Sequence, residues 1–302
     1  MDRLWTPGED PHRPDGPSRT RPQRRVPLVR PDFPTVTGEL EARVAARERL
    51  IPFQKYLWPD FEIRPYQELI AGALELVEQR KITRLMLFAV PQTGKSEEVS
   101  RSYPAWYMGR NPDDAQILCS YNADLAYNLS FEARQKVMSP QFRALFGDLS
   151  PFDVPVEISA ERAATKEWRL QNHRGRMKAA GVGGGIAGFP ADQIVIDDPV
   201  KDDTVLTPTI RDRIIRWYTG QLQGRLSKKG VIVLAMTRWG EGDLAGYLLR
   251  EQANGGDLWH VLRITALAEP PRKIREWCER NFIPVERYIV ADHVLKTKRG
   301  YS

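Results

Sequence analysis

Gly94-Lys95-Ser96 closes the polar break in the stretch LMLFAVPQTGKSEEVS, where an apolar run gives way to a turn. A lysine and a hydroxyl directly behind a glycine are the groups a nucleoside triphosphate needs. Pro91, Gln92, Thr93 and Gly94 would bend the chain so that successive backbone N–H groups face the phosphates, and a helix starting there would add its positive end. Lys95 would reach the β- and γ-phosphates, and the Ser96 hydroxyl would ligate Mg2+. The strict form of such a loop has a glycine five positions before Gly94; this chain has Ala89, small enough to fit. The competing reading is an ordinary strand-to-helix turn.

Asp197 and Asp198 supply the second half of a hydrolytic site. They end the apolar run Ile194-Val195-Ile196. At the carboxyl edge of a strand, the first acid would hold Mg2+ through water and the second would orient or deprotonate the attacking water. Adjacent residues on a continuing strand face opposite ways, so the chain must turn here, and Pro199 fits that turn. Acids often cap strands, and alone the pair would carry little; together with the loop it points to ATP and Mg2+. Further upstream, the Gln67 amide matches the hydrogen-bonding edge of adenine and the Tyr66 ring could stack on it. A surface glutamine beside a packed tyrosine remains an equal alternative.

These residues need strands to deliver them. RLMLFAV reads as a buried strand before the loop, AQILCSY as a second, DQIVIDD as a third, KGVIVLAMT as a fourth and LWHVLRITAL as a fifth. Between them lie helical stretches: residues 37–50, then ELIAGALELVEQRK, then a helix after Ser96 that Pro104 must kink or end. NADLAYNLSFEARQKVMS reads as a helix capped by Asn122, and further helices are expected over residues 208–226 and in EGDLAGYLLR. Residues 167–180 alternate about a turn at His173-Arg174-Gly175, which predicts a hairpin. Continuous apolar strands separated by helices predict an α/β fold, a mostly parallel sheet flanked by helices.

The 302 residues, 41% of them hydrophobic, are ample for a sizeable core. The net charge of +6 makes a nucleic-acid partner plausible without requiring one. Two distant cysteines, Cys119 and Cys278, give neither a disulfide framework nor paired zinc-ligand spacing. No apolar run approaches the roughly 20 residues of a membrane span, and the Pro- and Arg-rich start lacks a signal core. A soluble intracellular protein without a membrane partner is expected. Residues 1–35 read as a disordered basic arm in which Arg24-Arg25 could touch phosphate, although a solvated tail is the simpler reading.

In order along the chain, RPYQ, VPQTGKSEEVSRSYPAWYMGRNPD, SYNADLA, GVGGGIAGFPADQIVIDDPVKD, RWYTGQLQGRL and VIVLAMTRWGEGDLAGYLL resemble the ATPase domain of the large terminase subunit of tailed bacteriophages. The resemblance implies an additional-strand P-loop NTPase fold over residues 65–270, with a helical lead-in over 36–64 and a linker or lid-like tail over 271–302. It implies an ATPase that drives double-stranded DNA into a procapsid. The chain would act as a homo-oligomeric ring on the portal protein, beside the small terminase subunit, at the portal vertex in the host cytoplasm. Tyr66-Gln67 would match the adenine motif, Gly94, Lys95 and Ser96 the Walker A motif, and Asp197 and Asp198 the Walker B acid and its catalytic neighbour. Ala235, Met236 and Thr237 would match the coupling motif that links hydrolysis to movement.

Three departures stand out. Gln92 occupies the loop where the family usually has an arginine, and Asp198 replaces the longer glutamate of many relatives. The family protein also continues into a nuclease domain, but the last residues here contain no acid cluster, so no nuclease activity is expected. A ring ATPase is expected to receive an arginine from a neighbour, since charge builds on the transferring phosphoryl group. Arg174, Arg176 and Arg225 are the candidates. A helicase-like ATPase would share the same motifs but needs a second core domain for which there is no room. A DNA-binding assembly protein that does not hydrolyse nucleotide would not need Lys95, Ser96, Asp197 and Asp198 together.

Overall fold

A computed structural model describes residues 36–147, 152, 154–201, 207–265 and 271–283. The expected arm over residues 1–35, with Arg24-Arg25, and the end of the tail lie outside these. Helices α1 (Val36–Glu48) and α2 (Leu50–Leu57) lead to α3 (Pro65–Glu78) and β1 (Arg84–Ala89). A π-helical turn, Glu97–Ser102, runs into α4 (Tyr103–Arg110), then β2 (Ala115–Ser120), α5 (Ala123–Val137) and α6 (Pro140–Phe146). Next come β3 (Ile158–Ala164), β4 (Glu167–Leu170), β5 (Arg176–Gly181) and β6 (Ala191–Asp197). The last described elements are α7 (Pro208–Trp217), β7 (Leu226–Met236), α8 (Leu244–Ala253), β8 (His260–Ile264) and α9 (Pro271–Arg280).

Local chemistry explains many of these boundaries. The Asn122 side chain accepts from Leu125 N at 2.8 Å and starts α5; Ser139 Oγ does the same for Phe142 N in α6, and Asp243 Oδ1 for Gly246 N in α8. Pro104 lies in the first turn of α4, where proline costs no hydrogen bond. The irregularity predicted at Pro104 is therefore in the π-helical turn just before it. The single helix expected over residues 208–226 is also broken: α7 ends at Trp217, and a π-helical turn Tyr218–Leu222 and a 3₁₀ turn Gln223–Arg225 follow. The separate helices α2 and α6 and the strand β3 carried no strong sequence signal.

The eight strands described form one sheet in the order β3-β4-β5-β2-β6-β7-β1-β8. From β5 to β8 all neighbours are parallel, while β3 and β4 add an antiparallel extension that includes the expected hairpin. Strand β7 lies between β1, which leads to the loop, and β6, which carries the acids. A strand inserted between these two is what the additional-strand expectation required.

Successive strand residues face opposite sides, so the sheet divides two cores. Leu85 and Leu87 of β1 pack with Phe53, Tyr103, Trp106, Phe142 and Val233 on one face. Met86 and Phe88 pack with Ile196, Leu234, Trp217, Tyr218 and Trp259 on the other. Helix α9 joins the second core through buried Cys278, and its Trp277 ring meets Phe88 edge-on at 6.1 Å. Among the described residues no helix is long and apolar enough to cross a membrane.

Candidate nucleotide-binding site

All the parallel strands from β5 to β8 end at the same edge, so the residues following β1, β2, β6 and β7 meet there. Crevices outside the carboxyl ends of such strands are where open α/β sheets bind ligands. A cleft of about 540 Å³ opens at this edge, lined by loop residues 90–97 together with Arg101, Tyr121, Asp198, Lys201, Thr237 and Trp239. Within the loop, Gln92 and Gly94 have φ of 64° and 77°. These left-handed turns let consecutive peptides curl inward as a phosphate cradle requires. Ala89, by contrast, is still in the strand and buried, so glycine's freedom is not needed there.

Lys95 is 6% exposed and its Nζ lies 2.5 Å from Asp198 Oδ2. Asp198 leaves the strand with φ of 43°, which is the turn that two adjacent acids require if both are to serve one site. Its backbone N–H donates to Ala235 O at 2.8 Å, and its Oδ1 accepts from Thr237 N at 3.0 Å. Thr237 Oγ1 in turn donates to Ala89 O at 3.3 Å. Thr237 thus ties the acid to the end of the loop strand. Ala235 contributes its backbone from within the core, where it stands in register with Asp197, and Met236 is buried behind it.

Asp197 is 2% exposed. Its Oδ2 accepts from Ser100 Oγ at 2.7 Å, whereas Oδ1 is buried without a hydrogen-bond partner. Burial pushes its carboxyl above the usual range; Lys95 opposes that rise, Asp198 adds to it, and the Ser100 and Ser96 hydroxyls counter it. A buried carboxylate with one unsatisfied oxygen beside a loop serine fits a divalent cation, whose charge would offset the desolvation. Asp197 and Ser96 are the residues that would hold Mg2+.

Tyr66 and Gln67 do not line the cleft. Gln67 is buried, with its Oε1 accepting from Arg64 N at 2.9 Å, and its Nε2 lies 3.6 Å from where a Cβ on Gly94 would stand. It caps α3 and backs the loop. Tyr66 is half-buried against the core, its hydroxyl 3.4 Å from Arg64 Nη1.

The three arginine candidates lie at the opposite edge of the sheet. Arg176 opens β5 beside Ala115, the first residue of β2, and Arg225 precedes Leu226, which pairs with the first residue of β6. That is a strand length, roughly 20 Å, from the cleft of the same chain. The Arg174 side chain is 87% exposed. Arg176 stacks over Phe189 at 4.4 Å, and Arg225 Nε donates to Gln221 O at 3.3 Å.

Sequence reasoning missed Arg101 and Tyr121 in the cleft, and Lys136 and Ser100 outside it. Arg101 is paired with Glu132, and Lys136 bonds Glu97 at 2.8 Å, so charged side chains brace the helix behind the loop. Tyr121 could have been found from its place directly after β2, at the same edge as Asp197; fully buried Ser100, behind the cleft, had no such signal.

No family model matches the chain, and no curated protein does. Among solved structures, the large terminase of bacteriophage HK97 is similar at 14% identity with a TM-score of 0.47, over 84% of this chain and 51% of that one. A large terminase from a thermophilic bacteriophage, in complex with ADP, is similar at 12% identity and TM-score 0.40, over 73% of this chain and 51% of that one. The same thermophilic phage protein in complex with ATP-γ-S gives 12% and 0.38, over 75% and 50%. The chain thus spans about half the length of the solved structures it matches.

Proposed function

We propose that this chain is an ATP-hydrolysing motor that translocates double-stranded DNA in viral genome packaging. The observation that carries the reading is the wiring of one strand end: Thr237 bonds both the second acid and the loop strand, beside a lysine already paired with that acid. This arrangement has the parts a coupled hydrolase needs.

The loop N–H groups and Lys95 would bind the phosphates, and Ser96 and Asp197 would hold Mg2+. When bound, the metal neutralises charge on the β- and γ-phosphate oxygens. Asp198 would orient the attacking water and accept its proton. Loss of the γ-phosphate would let Lys95 and Asp198 close into the pair they make here, and Thr237 would carry that change to the segment beyond β7. Gln67 would steady the phosphate loop from behind, at Gly94.

DNA would be gripped through its backbone phosphates, consistent with the basic composition. A homo-oligomeric ring on a portal protein, with a small terminase subunit, would supply an arginine in trans. Arg174 is the most exposed of the three candidates, and its ion pair with Asp113, at 3.9 Å, lies at the surface. The test is ATP turnover against protein concentration, with and without double-stranded DNA, for wild type and Asp198→Asn. Turnover per subunit that rises with concentration and vanishes in the variant supports the reading. Turnover indifferent to Asp198→Asn overturns the assignment of the acid, and strand displacement in place of translocation would favour a helicase.

A further inference from the structure

Ser100 is the residue that the nucleotide reading leaves unexplained. It is fully buried, it lies in the π-helical turn behind the loop, and that turn packs against β6. Its hydroxyl makes the hydrogen bond to Asp197 Oδ2, at 2.7 Å, while Oδ1 of the same carboxyl has no partner. Ser96, four residues earlier and so about one helical turn back, is close enough for its hydroxyl also to act on Asp197. Two serines on one helix face therefore converge on one carboxyl.

Resting on the nucleotide reading above, we propose that Ser100 is a positioning residue for the metal: it fixes the rotation of Asp197 so that the unpartnered oxygen faces the cation held by Ser96. The two serines have different roles. Ser96 would offer an oxygen lone pair to a bound cation, whereas Ser100 touches only the carboxyl and so would hold its rotation whether or not the cation is there. Without the Ser100 hydroxyl, the carboxyl can turn either oxygen inward, and the metal must itself supply the ordering. Groups that orient a metal ligand in this way commonly change metal affinity by about 10–100-fold when removed.

The experiment is equilibrium binding of a fluorescent ATP analogue, titrated with Mg2+ and repeated in EDTA, for wild type, Ser100→Ala, Asp197→Asn and the double variant. The expected result is a Mg2+ midpoint about 10–100-fold higher in Ser100→Ala, with binding in EDTA unchanged. In the Asp197→Asn background, Ser100→Ala should add nothing, because the two residues act through one carboxyl. Equal Mg2+ midpoints in wild type and Ser100→Ala overturn the proposal. So does a loss of binding that is the same in EDTA and in Mg2+, which would make Ser100 a packing residue. A wild type whose nucleotide binding ignores Mg2+ would instead overturn the nucleotide reading, and this inference with it.

Discussion

A γ-phosphate that reaches Lys95 has to displace Asp198 Oδ2, which already stands 2.5 Å from the ammonium. The carboxylate is thus a rival for the lysine as well as the group assigned to activate water. Asp198→Asn should lower turnover by about 10²–10⁴-fold, as loss of a general base does. It should at the same time bind ATP more tightly than wild type, because the rival charge is gone; steady-state rates and an equilibrium titration check the two halves. Asp197 gives a second test. Its carboxyl is raised by burial, so the folded chain holds that proton more tightly than the unfolded chain does. The ionised form then costs stability at pH values above the raised value, and the cost fades as pH falls through it. In metal-free buffer, Asp197→Asn should melt at or above the wild-type temperature near neutral pH, with the difference shrinking on acidification, while stabilisation by Mg2+-ATP is lost. Lys95, Ser96, Asp197 and Asp198 were legible in the sequence because triphosphate chemistry fixes their types and spacing. Ser100 was not, since a serine one turn into a helix is ordinary until its partner is known.

At the scale of elements, Asn122 was read as a cap and is one, accepting from Leu125 N. Asn122→Ala should cost about 1 kcal/mol, a fall in melting temperature of about 2–4 °C for a domain of this size. Tyr121 and Leu125, on either side of the cap, line the cleft, so nucleotide binding should weaken modestly while its Mg2+ dependence remains, and a thermal melt with the same binding assay checks both. The parallel strands were legible because burial on both faces makes them continuous apolar runs, as in Ile194-Val195-Ile196. Strand β3 was hidden because its sequence ISAERAA carries charge in mid-run, as a strand at the rim of a sheet does. The π-helical turns were also hidden. Nothing in EEVSRS departs from α-helical preference, and the widening is decided by packing behind the loop.

For the whole molecule, the proposed motor and a net charge of +6 predict DNA binding that weakens steeply with salt. The logarithm of affinity should fall linearly with the logarithm of salt concentration, with little dependence on base sequence. Titrations of two unrelated duplexes at several salt concentrations check this; a marked preference for one duplex would contradict it. Sheet order has a mechanical corollary as well. Strand β7 is clamped along both sides by β6 and β1 and packed above and below by two cores, so it behaves as a built-in beam. A push delivered at Thr237 cannot bow such a beam; the displacement has to come out at its free end. That end is the segment 238–242, pinned by Asp243, whose Oδ2 accepts from Arg238 Nε at 2.8 Å. The stroke of the machine would then be set by how far this short segment can swing before that pin gives way.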